Sequence, residues 1–310
     1  MKHVAWQGIY PALLTPFTAN DTIDYPLFQK NLDAQLAAGV AGIIIGGSLG
    51  EASTLTREEK AEFLTYCVKS VAGKVPVIIN VAEQSTKVAI EMAQEAEQLG
   101  ADGIMLLPPL KYKADDEEVV TYFQEVAKAT QLPILIYNNP VDYGIKVSIA
   151  MFEQLLPYTN IQAVKESTRD LANITNMINR FGDRYKILGG VDTISLECLM
   201  LGAEGLVAGL VDAFPQETVA MYKLVKAKRY DEAVAIYRWF MPLLELDIHP
   251  KLVQYIKLAA TAVGISSEYV RAPRLVIKGE ERERVLKIIN DALANRPILP
   301  DYLNLEVEVA

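Results

Sequence analysis

The amino-acid sequence predicts a protein of the α/β class, a (β/α)8 TIM barrel with a C-terminal helical extension. Eight short apolar runs alternate with longer amphipathic segments over most of the 310 residues, and no Pro/Gly/Ser-rich linker interrupts them. The repeats are about thirty residues long, and such an even repeat favours a closed barrel over an open doubly wound sheet. From Glu217 onward one helical pattern follows another. We therefore expect a barrel core over residues 1–215, with the last barrel helix and the extension over residues 216–310.

The predicted strands are short apolar runs rich in β-branched residues and bounded by turn residues. They span residues 9–14, 42–45, 77–80, 103–107, 134–137, 161–164, 186–188 and 205–207. Because the active site of such a barrel lies where its strands end, polar residues that directly follow a strand are the first candidates for function.

The predicted helices show the amphipathic period of 3.6 residues, and most begin at Asp, Ser or Thr, the residues that cap a helix N-terminus. In the barrel they span residues 25–38, 57–71, 86–99, 116–129 and 171–181, and in the C-terminal part residues 221–228, 230–246, 250–263 and 281–294. Gly39 and Gly100 are expected to cap the C-termini of two of them.

Composition excludes several classes of function. The formal net charge is −9 and no basic stripe is present, which argues against nucleic acid as a partner. The N-terminus lacks the apolar stretch of a secretory signal, and no segment has the unbroken apolar length of a membrane span. The uncharged run at residues 35–50 is rich in glycine and is better explained by a buried strand. A cytoplasmic protein without membrane contact is expected.

Cysteine and histidine are scarce. Cys67 and Cys198 each lie in a predicted amphipathic helix, and packed thiols in a reducing compartment explain both. His3 and His249 are the two histidines, and no Cys/His cluster has the spacing of metal ligands. We therefore expect chemistry that uses no metal.

A glycine-rich turn follows the second predicted strand. Residues 46–51 read Gly-Gly-Ser-Leu-Gly-Glu, and such a turn allows backbone N–H groups to approach an anion closely. The Ser48 hydroxyl lies beside them, which suits a carboxylate. A tight turn without a ligand is the alternative, and the lysine of a phosphate-binding P-loop is missing.

Two further turns follow strands five and seven. Tyr137-Asn138-Asn139-Pro140 places a phenol, a group that donates and accepts protons, before a proline that fixes the turn. A purely structural turn is the alternative. Residues 189–192 read Gly-Gly-Val-Asp, and the small residues leave room for a substrate.

Lys165 ends the sixth predicted strand. A buried cation is costly, and desolvation favours the neutral, nucleophilic amine. At the ordinary lysine pKa only about 0.04% of the amine is neutral at pH 7, so burial is a means of activation. The alternative is a lysine whose ammonium group reaches the solvent at the barrel rim.

Taken together, these motifs resemble the dihydrodipicolinate synthase and N-acetylneuraminate lyase superfamily, in order and spacing, over residues 9–212. The resemblance implies a Schiff-base-forming lyase that acts on pyruvate or another 2-oxo acid, without a metal or organic cofactor. It also implies a homotetramer built as a dimer of dimers. The resemblance implies Lys165 as the Schiff-base lysine, Tyr137 as the general acid/base and Ser48 as the hydroxyl of the first motif. It also implies the backbone of Ser48 and Leu49, next to Gly47, as the carboxylate seat, and Gly190 and Val207 as the substrate floor. We further expect Ser48 to orient Tyr137, and we expect the distal half of the substrate to contact Asn139, Asp142 and Tyr143.

The sequence departs from the pattern of this superfamily at three places. Where dihydrodipicolinate synthases proper have an arginine for the second carboxylate, this chain has Asp142, which repels an anion. Leu49 replaces a threonine. The tyrosine that many members lend to the proton relay of a neighbouring subunit aligns with Lys111, and Tyr112 follows it. Either Tyr112 substitutes for that tyrosine or the relay differs.

These departures leave several functions open. The first is an aldolase or dehydratase of a 2-oxo acid, whose Asp142 favours a hydroxylated or cationic distal group. The others are the 4-hydroxy-tetrahydrodipicolinate synthase itself, a deaminase of a hydroxypyrroline carboxylate, and a catalytically silent ligand sensor, since one fold supports many functions.

Overall fold

The computed structural model describes residues 4–109 and 112–305 and confirms the (β/α)8 barrel. It contains eight parallel strands, one at each of the eight predicted positions. They are β1 (Gly8–Pro11), β2 (Ile43–Ile45), β3 (Val77–Val81), β4 (Gly103–Leu106), β5 (Ile134–Asn138), β6 (Ile161–Glu166), β7 (Lys186–Gly189) and β8 (Gly205–Ala208). The sixth strand is longer than predicted, so Lys165 lies within it rather than at its end.

The sheet closes on itself. The strand order is β1-β8-β7-β6-β5-β4-β3-β2, so the first strand pairs with the last. Between β1 and β2 the gap is bridged by parallel pairing of Ala12 with Ile44 and by a 2.8 Å hydrogen bond from Leu13 N to Ile44 O. All eight strand ends therefore converge on one mouth.

The helices of the described residues surround the barrel and then extend it. They are α1 (Tyr25–Ala38), α2 (Arg57–Val71), α3 (Thr86–Gln98), α4 (Asp116–Ala129), α5 (Pro140–Tyr143), α6 (Ile149–Leu155), α7 (Leu171–Phe181), α8 (Ser195–Met200), α9 (Pro215–Lys226), α10 (Tyr230–Leu244), α11 (Leu252–Ala262) and α12 (Gly279–Ala294). Every predicted helix is present. The sequence pattern missed α5 and α6, which are too short to show a helical period, and it predicted α8 only as the helical segment around Cys198.

Local signals fix the helix ends. The side chain of Thr56 begins α2 and that of Asp115 begins α4, each as part of a capping box. Gly39 ends α1 with φ +86°, as predicted, and Gly100 follows α3 with φ +93°. Cys67 and Cys198 are free and buried in α2 and α8, which confirms the prediction of packed thiols.

The C-terminal extension reaches back to the barrel mouth. Helix α10 runs into a 3-10 turn at Glu245–Ile248, and this turn carries Asp247 into the cavity described below. In the described part of the chain, no helix combines the length and apolarity needed to cross a membrane.

Candidate active site

A cavity of about 380 Å³ opens at the carboxyl ends of the strands. It is lined by residues from seven strand ends or the loops after them and from the extension. The lining residues are Ala12, Gly47, Ser48, Leu49, Met105, Tyr137, Asn139, Asp142, Tyr143, Lys165, Ser167, Arg169, Gly190, Val191, Val207, Gly209, Asp247, Ile248, His249, Pro250 and Leu252. Among the described residues, every predicted site residue except Tyr112 lies in this wall.

Lys165 projects into the cavity from β6. Its register partners are Tyr137 on β5 and Leu188 on β7, and its Nζ lies 4.1 Å from the centre of the Tyr137 ring. The residue is only 7% exposed, and burial lowers the pKa of its amine. The Asp247 carboxylate is the main opposing influence on that pKa. The balance favours a neutral amine more than in an exposed lysine.

Gly190 provides the space that the Lys165 side chain occupies. A Cβ added to Gly190 would lie 2.6 Å from Lys165 Cγ, 2.8 Å from Lys165 Cε and 2.1 Å from Ser167 Oγ. Because real Cβ atoms do not approach so closely, any larger residue displaces the lysine. The predicted floor at Gly190 therefore shapes the path of the amine.

Tyr137 is buried in the cavity wall with its hydroxyl hydrogen-bonded. Its hydroxyl accepts a 3.1 Å hydrogen bond from Asn139 Nδ2, and burial raises its pKa above the ordinary value. The phenol therefore stays protonated at neutral pH.

The predicted contact between Ser48 and Tyr137 is wrong. Ser48 Oγ instead makes a 2.5 Å hydrogen bond with the hydroxyl of Tyr143. The reason is the unpredicted turn α5, which brings Tyr143 edge-on against the Tyr137 ring, with 5.6 Å between the ring centres. Burial raises the pKa of Tyr143 to about 12, so this phenol is also neutral.

Asp142 lies on the same turn and is tied to Asn139. Asn139 Nδ2 donates to Asp142 Oδ2 at 2.7 Å, and Asp142 N donates to Asn139 Oδ1 at 3.1 Å. The carboxylate lines the cavity in a fixed position. It is therefore a negative wall for the part of a ligand that extends away from Lys165.

The glycine-rich turn presents free backbone donors. Within the described residues, the N–H groups of Ser48 and Leu49 donate no hydrogen bond, and both residues line the cavity. The turn is anchored behind by Glu51, which has φ +53° and is fully buried. Glu51 accepts 2.5 Å and 3.0 Å hydrogen bonds from Lys257 Nζ on α11 and from Arg271 N. The extension thus holds the predicted carboxylate seat in place.

Three charged residues near the site were not predicted. Asp247 packs so closely against Gly209 that a Cβ added to this glycine would lie 2.5 Å from Asp247 Oδ1. Burial raises the pKa of Asp247 well above its ordinary value, with a further contribution from Asp192. Asp192 itself accepts hydrogen bonds from Gly209 N and Leu210 N. The third residue, Arg169, lines the cavity from the loop after β6.

Little in the sequence distinguished these three residues. Asp192 ends the Gly-Gly-Val-Asp motif and had a usable signal in its position after a strand. Asp247 lies in a segment with a helical pattern, so its approach to the barrel depends on tertiary packing alone. Arg169 follows a strand but resembles any exposed loop residue.

Tyr112 is one of the two residues that align near the tyrosine lent to a neighbouring subunit, and it lies outside the cavity wall. Tyr112 is 55% exposed and does not line the cavity. Lys111 lies outside the described residues.

Comparison with known proteins places this geometry in a family context. A sequence model described as the dihydrodipicolinate synthetase family matches residues 5–292. The 4-hydroxy-tetrahydrodipicolinate synthase of Exiguobacterium sibiricum is 34% identical over 273 residues, which cover 87% of this chain and 91% of that protein. The enzyme of the same name from Kosmotoga olearia is 32% identical over 290 residues, 92% of this chain and 98% of that protein.

A solved structure is also similar. It is a prophage protein of the dihydrodipicolinic acid synthase family from E. coli K12, determined in complex with pyruvate. It superposes with a TM-score of 0.88 at 26% sequence identity and covers 93% of this chain and 99% of its own. The similarity therefore extends over the barrel and most of the extension.

Proposed function

This chain belongs to the dihydrodipicolinate synthetase family of lyases, and from that premise we propose that Lys165 forms a Schiff base with pyruvate or a pyruvate-like 2-oxo acid. The observation that carries the proposal is the buried amine of Lys165, whose pKa is lowered by desolvation, 4.1 Å from the centre of the Tyr137 ring. A neutral amine that projects into a cavity is the nucleophile that imine formation needs.

The proposed reaction begins when neutral Lys165 Nζ attacks the keto carbon. The resulting carbinolamine loses its hydroxyl as water, with Tyr137 as proton donor, and leaves a protonated imine. This cation draws electrons from the neighbouring carbon, which loses a proton to give an enamine. The enamine carbon then forms a bond to an aldehyde carbon, or in the reverse direction that bond breaks and the aldehyde leaves. Loss of water from the next carbon is the dehydratase variant.

The seat for the substrate carboxylate is the turn at Ser48 and Leu49, two residues that line the cavity and whose N–H groups donate to no other described residue. The hydrogen-bonded hydroxyls of Ser48 and Tyr143 form a second pair of groups that donate and accept protons, and the Tyr143 ring packs edge-on against that of Tyr137. Gly190 and Val207 also line the cavity and form the proposed substrate floor.

Asp142 and Asn139 meet the distal half of the substrate in this proposal. A hydroxyl that donates to the Asp142 carboxylate fits this wall, whereas a carboxylate beside it is repelled. The aldolase or dehydratase of a hydroxylated 2-oxo acid is therefore the favoured reaction.

The synthase proper is the second candidate, because relatives at 34% and 32% identity carry that name. The two candidates are separated by assaying aspartate semialdehyde with pyruvate beside N-acetylneuraminate and a 2-keto-3-deoxy sugar acid. Asp142→Ala and Asp142→Arg should change the substrate preference. Unchanged preference in both variants refutes the assignment of Asp142.

Trapping tests the Schiff base directly. Borohydride reduction in the presence of pyruvate should add one reduced pyruvate to the peptide that contains Lys165, as measured by mass spectrometry. Lys165→Ala should abolish the adduct and turnover. Lys257 is the matched control, since it is also buried and also carries an amine, yet it lies outside the cavity and should remain unlabelled. An adduct that persists in Lys165→Ala contradicts the proposal.

We also propose a cytoplasmic homotetramer, a dimer of dimers, that uses no metal or organic cofactor. The exposed Tyr112 ring supports this assembly, because a large exposed ring suits an interface. Sedimentation equilibrium at micromolar concentration should give four times the chain mass of 34.3 kDa. A single species at the chain mass contradicts the assembly.

A further inference from the structure

Arg169 has an unusual backbone and an unused side chain. Its φ is +61°, in the left-handed region that a residue with a Cβ enters at a cost of roughly 1–2 kcal/mol. The side chain is exposed, lines the cavity, and has no hydrogen-bond or ion-pair partner among the described residues. No contact of the Arg169 side chain with the described residues therefore offsets the strain or stabilises the fold.

The loop around Arg169 is held on both sides. Ser167 N donates to Asn138 O at 2.9 Å, and Thr168 N donates to Glu166 Oε1 at 2.8 Å. On the other side, the Asp170 side chain accepts from Ala172 N at 3.2 Å and begins helix α7. The strained backbone is therefore fixed, and it presents Arg169 at one place on the cavity wall.

The charges of the wall give Arg169 a specific role. Asp142 and Asp247 line the cavity, and Lys165 reacts in its neutral form. Among the described lining residues, Arg169 is the one permanent cation, because a guanidinium does not titrate in proteins. A cavity of about 380 Å³ is within the range for ligands larger than a three-carbon acid.

We propose that Arg169 is a specificity-determining residue that binds a carboxylate at the end of the substrate remote from its 2-oxo group. Guanidinium and carboxylate match as two parallel hydrogen bonds. Asp142 then faces hydroxyl groups between the two ends, so the substrate class is a hydroxylated 2-oxo diacid. The inference rests on the proposed function, since Lys165 must hold the other end.

Competition for Lys165 tests the inference. The amount of Lys165 labelled by pyruvate and borohydride is measured in the presence of a competitor. The dicarboxylate 2-oxoglutarate is compared with the monocarboxylate 2-oxovalerate, and 2-oxoadipate is compared with 2-oxohexanoate, so that each pair has the same carbon number. For at least one pair, the wild-type protein should bind the dicarboxylate about tenfold more tightly. Arg169→Ala should reduce that ratio to about one, and Arg169→Lys should retain part of it, since a lysine keeps the charge but not the fork of donors.

Two controls separate the role from folding. Arg238→Ala removes an exposed arginine on α10 outside the cavity and should leave the ratio unchanged. Arg169→Gly relieves the strained φ. Its Tm should therefore equal that of the wild type or lie up to about 1–2 °C above it, while the preference for the dicarboxylate is lost.

The outcomes are distinguishable. Wild-type protein that traps pyruvate but shows no preference for either dicarboxylate overturns the inference alone, as does an unchanged ratio in Arg169→Ala. An Arg169→Gly variant that melts clearly lower assigns the arginine a structural role and overturns it too. Wild-type protein that fails to trap pyruvate refutes the proposed function, and the inference with it.

Discussion

At the scale of single residues, the proposed chemistry depends on the lowered pKa of the Lys165 amine. Lys165 is surrounded by carboxylates that favour its charged form, while its burial favours the neutral one. Among those carboxylates, Asp247 raises the pKa of Lys165 the most, and it belongs to the C-terminal extension rather than to the barrel. The reactivity of the lysine is therefore adjusted by a residue distant in sequence.

Asp247→Asn should shift the pH dependence of imine formation. The rate rises as Lys165 loses its proton, so its acid limb reports the pKa of the amine. Removing the carboxylate removes an influence that raises this pKa, and the limb should move to lower pH. The rate of pyruvate trapping, measured against pH, checks this. Asp183→Asn, at a residue whose side chain is 97% exposed, is the control and should leave the limb in place. A shift to higher pH refutes the electrostatic account.

Residue types explain which site residues the sequence predicted. Lys165 and Tyr137 follow apolar runs, where a polar side chain has few structural reasons to be. Ser48 was predicted to lie in the site, but its partner was not, because the Ser48–Tyr143 hydrogen bond depends on a four-residue turn. Arg169 carries no sequence signal, because its φ angle cannot be inferred from residue type.

At the scale of elements, the register of neighbouring strands builds the site. Lys165 on β6 pairs with Tyr137 on β5, and Gly190 follows β7 beside them. Since side chains of adjacent parallel strands lie side by side at the same register, the amine and the phenol meet without help from a flexible loop.

Gly190→Ala should disable the site while leaving the barrel folded. Its Cβ meets Lys165 at 2.6 Å and 2.8 Å, so the amine must move. A displacement of about 1 Å costs about a hundredfold in rate. The trapping rate measures the loss, and circular dichroism checks the fold.

Gly47→Ala is a suitable comparison in the same cavity. Its Cβ meets only Met105 Cε at 3.7 Å, an ordinary contact, so the loss in trapping rate should be much smaller than in Gly190→Ala. Equal rates in Gly190→Ala and the wild type show that the lysine has another path.

The elements were largely predictable because their periods are long enough to read. All eight strands and the long helices follow from apolar periodicity and capping residues. Helix α6 has only seven residues, fewer than two turns, and so carries no clear period. The sequence pattern did not predict that β6 continues through Glu166, because the strand ends with two charged residues, Lys165 and Glu166, instead of apolar ones.

At the scale of the whole molecule, barrel and extension are joined by a buried ion pair. Lys257 on α11 and Glu51 of the glycine-rich turn are both fully buried, with 2.5 Å between Nζ and Oε1. Arg274 NH1 lies 3.6 Å from the same carboxylate. No sequence pattern predicts this pairing, because its two residues are brought together only by the complete fold.

Lys257→Met should destabilise the protein, since Glu51 then keeps a buried charge without its main partner. We expect a loss of about 3–5 kcal/mol in the free energy of unfolding and a higher KM for pyruvate. Denaturant titration and steady-state kinetics measure the two effects. Lys251→Met breaks an exposed pair with Glu281 and should cost less than about 1 kcal/mol. Similar losses in the two variants refute the role of the buried pair.

The link between Glu51 and Lys257 has a consequence for the protein during its own synthesis. The ribosome releases all eight strands before residue 257 emerges, so a nascent barrel lacks the support of its carboxylate seat and the Asp247 carboxylate beside Lys165. Catalytic competence therefore arrives late in translation, when the last third of the polypeptide docks.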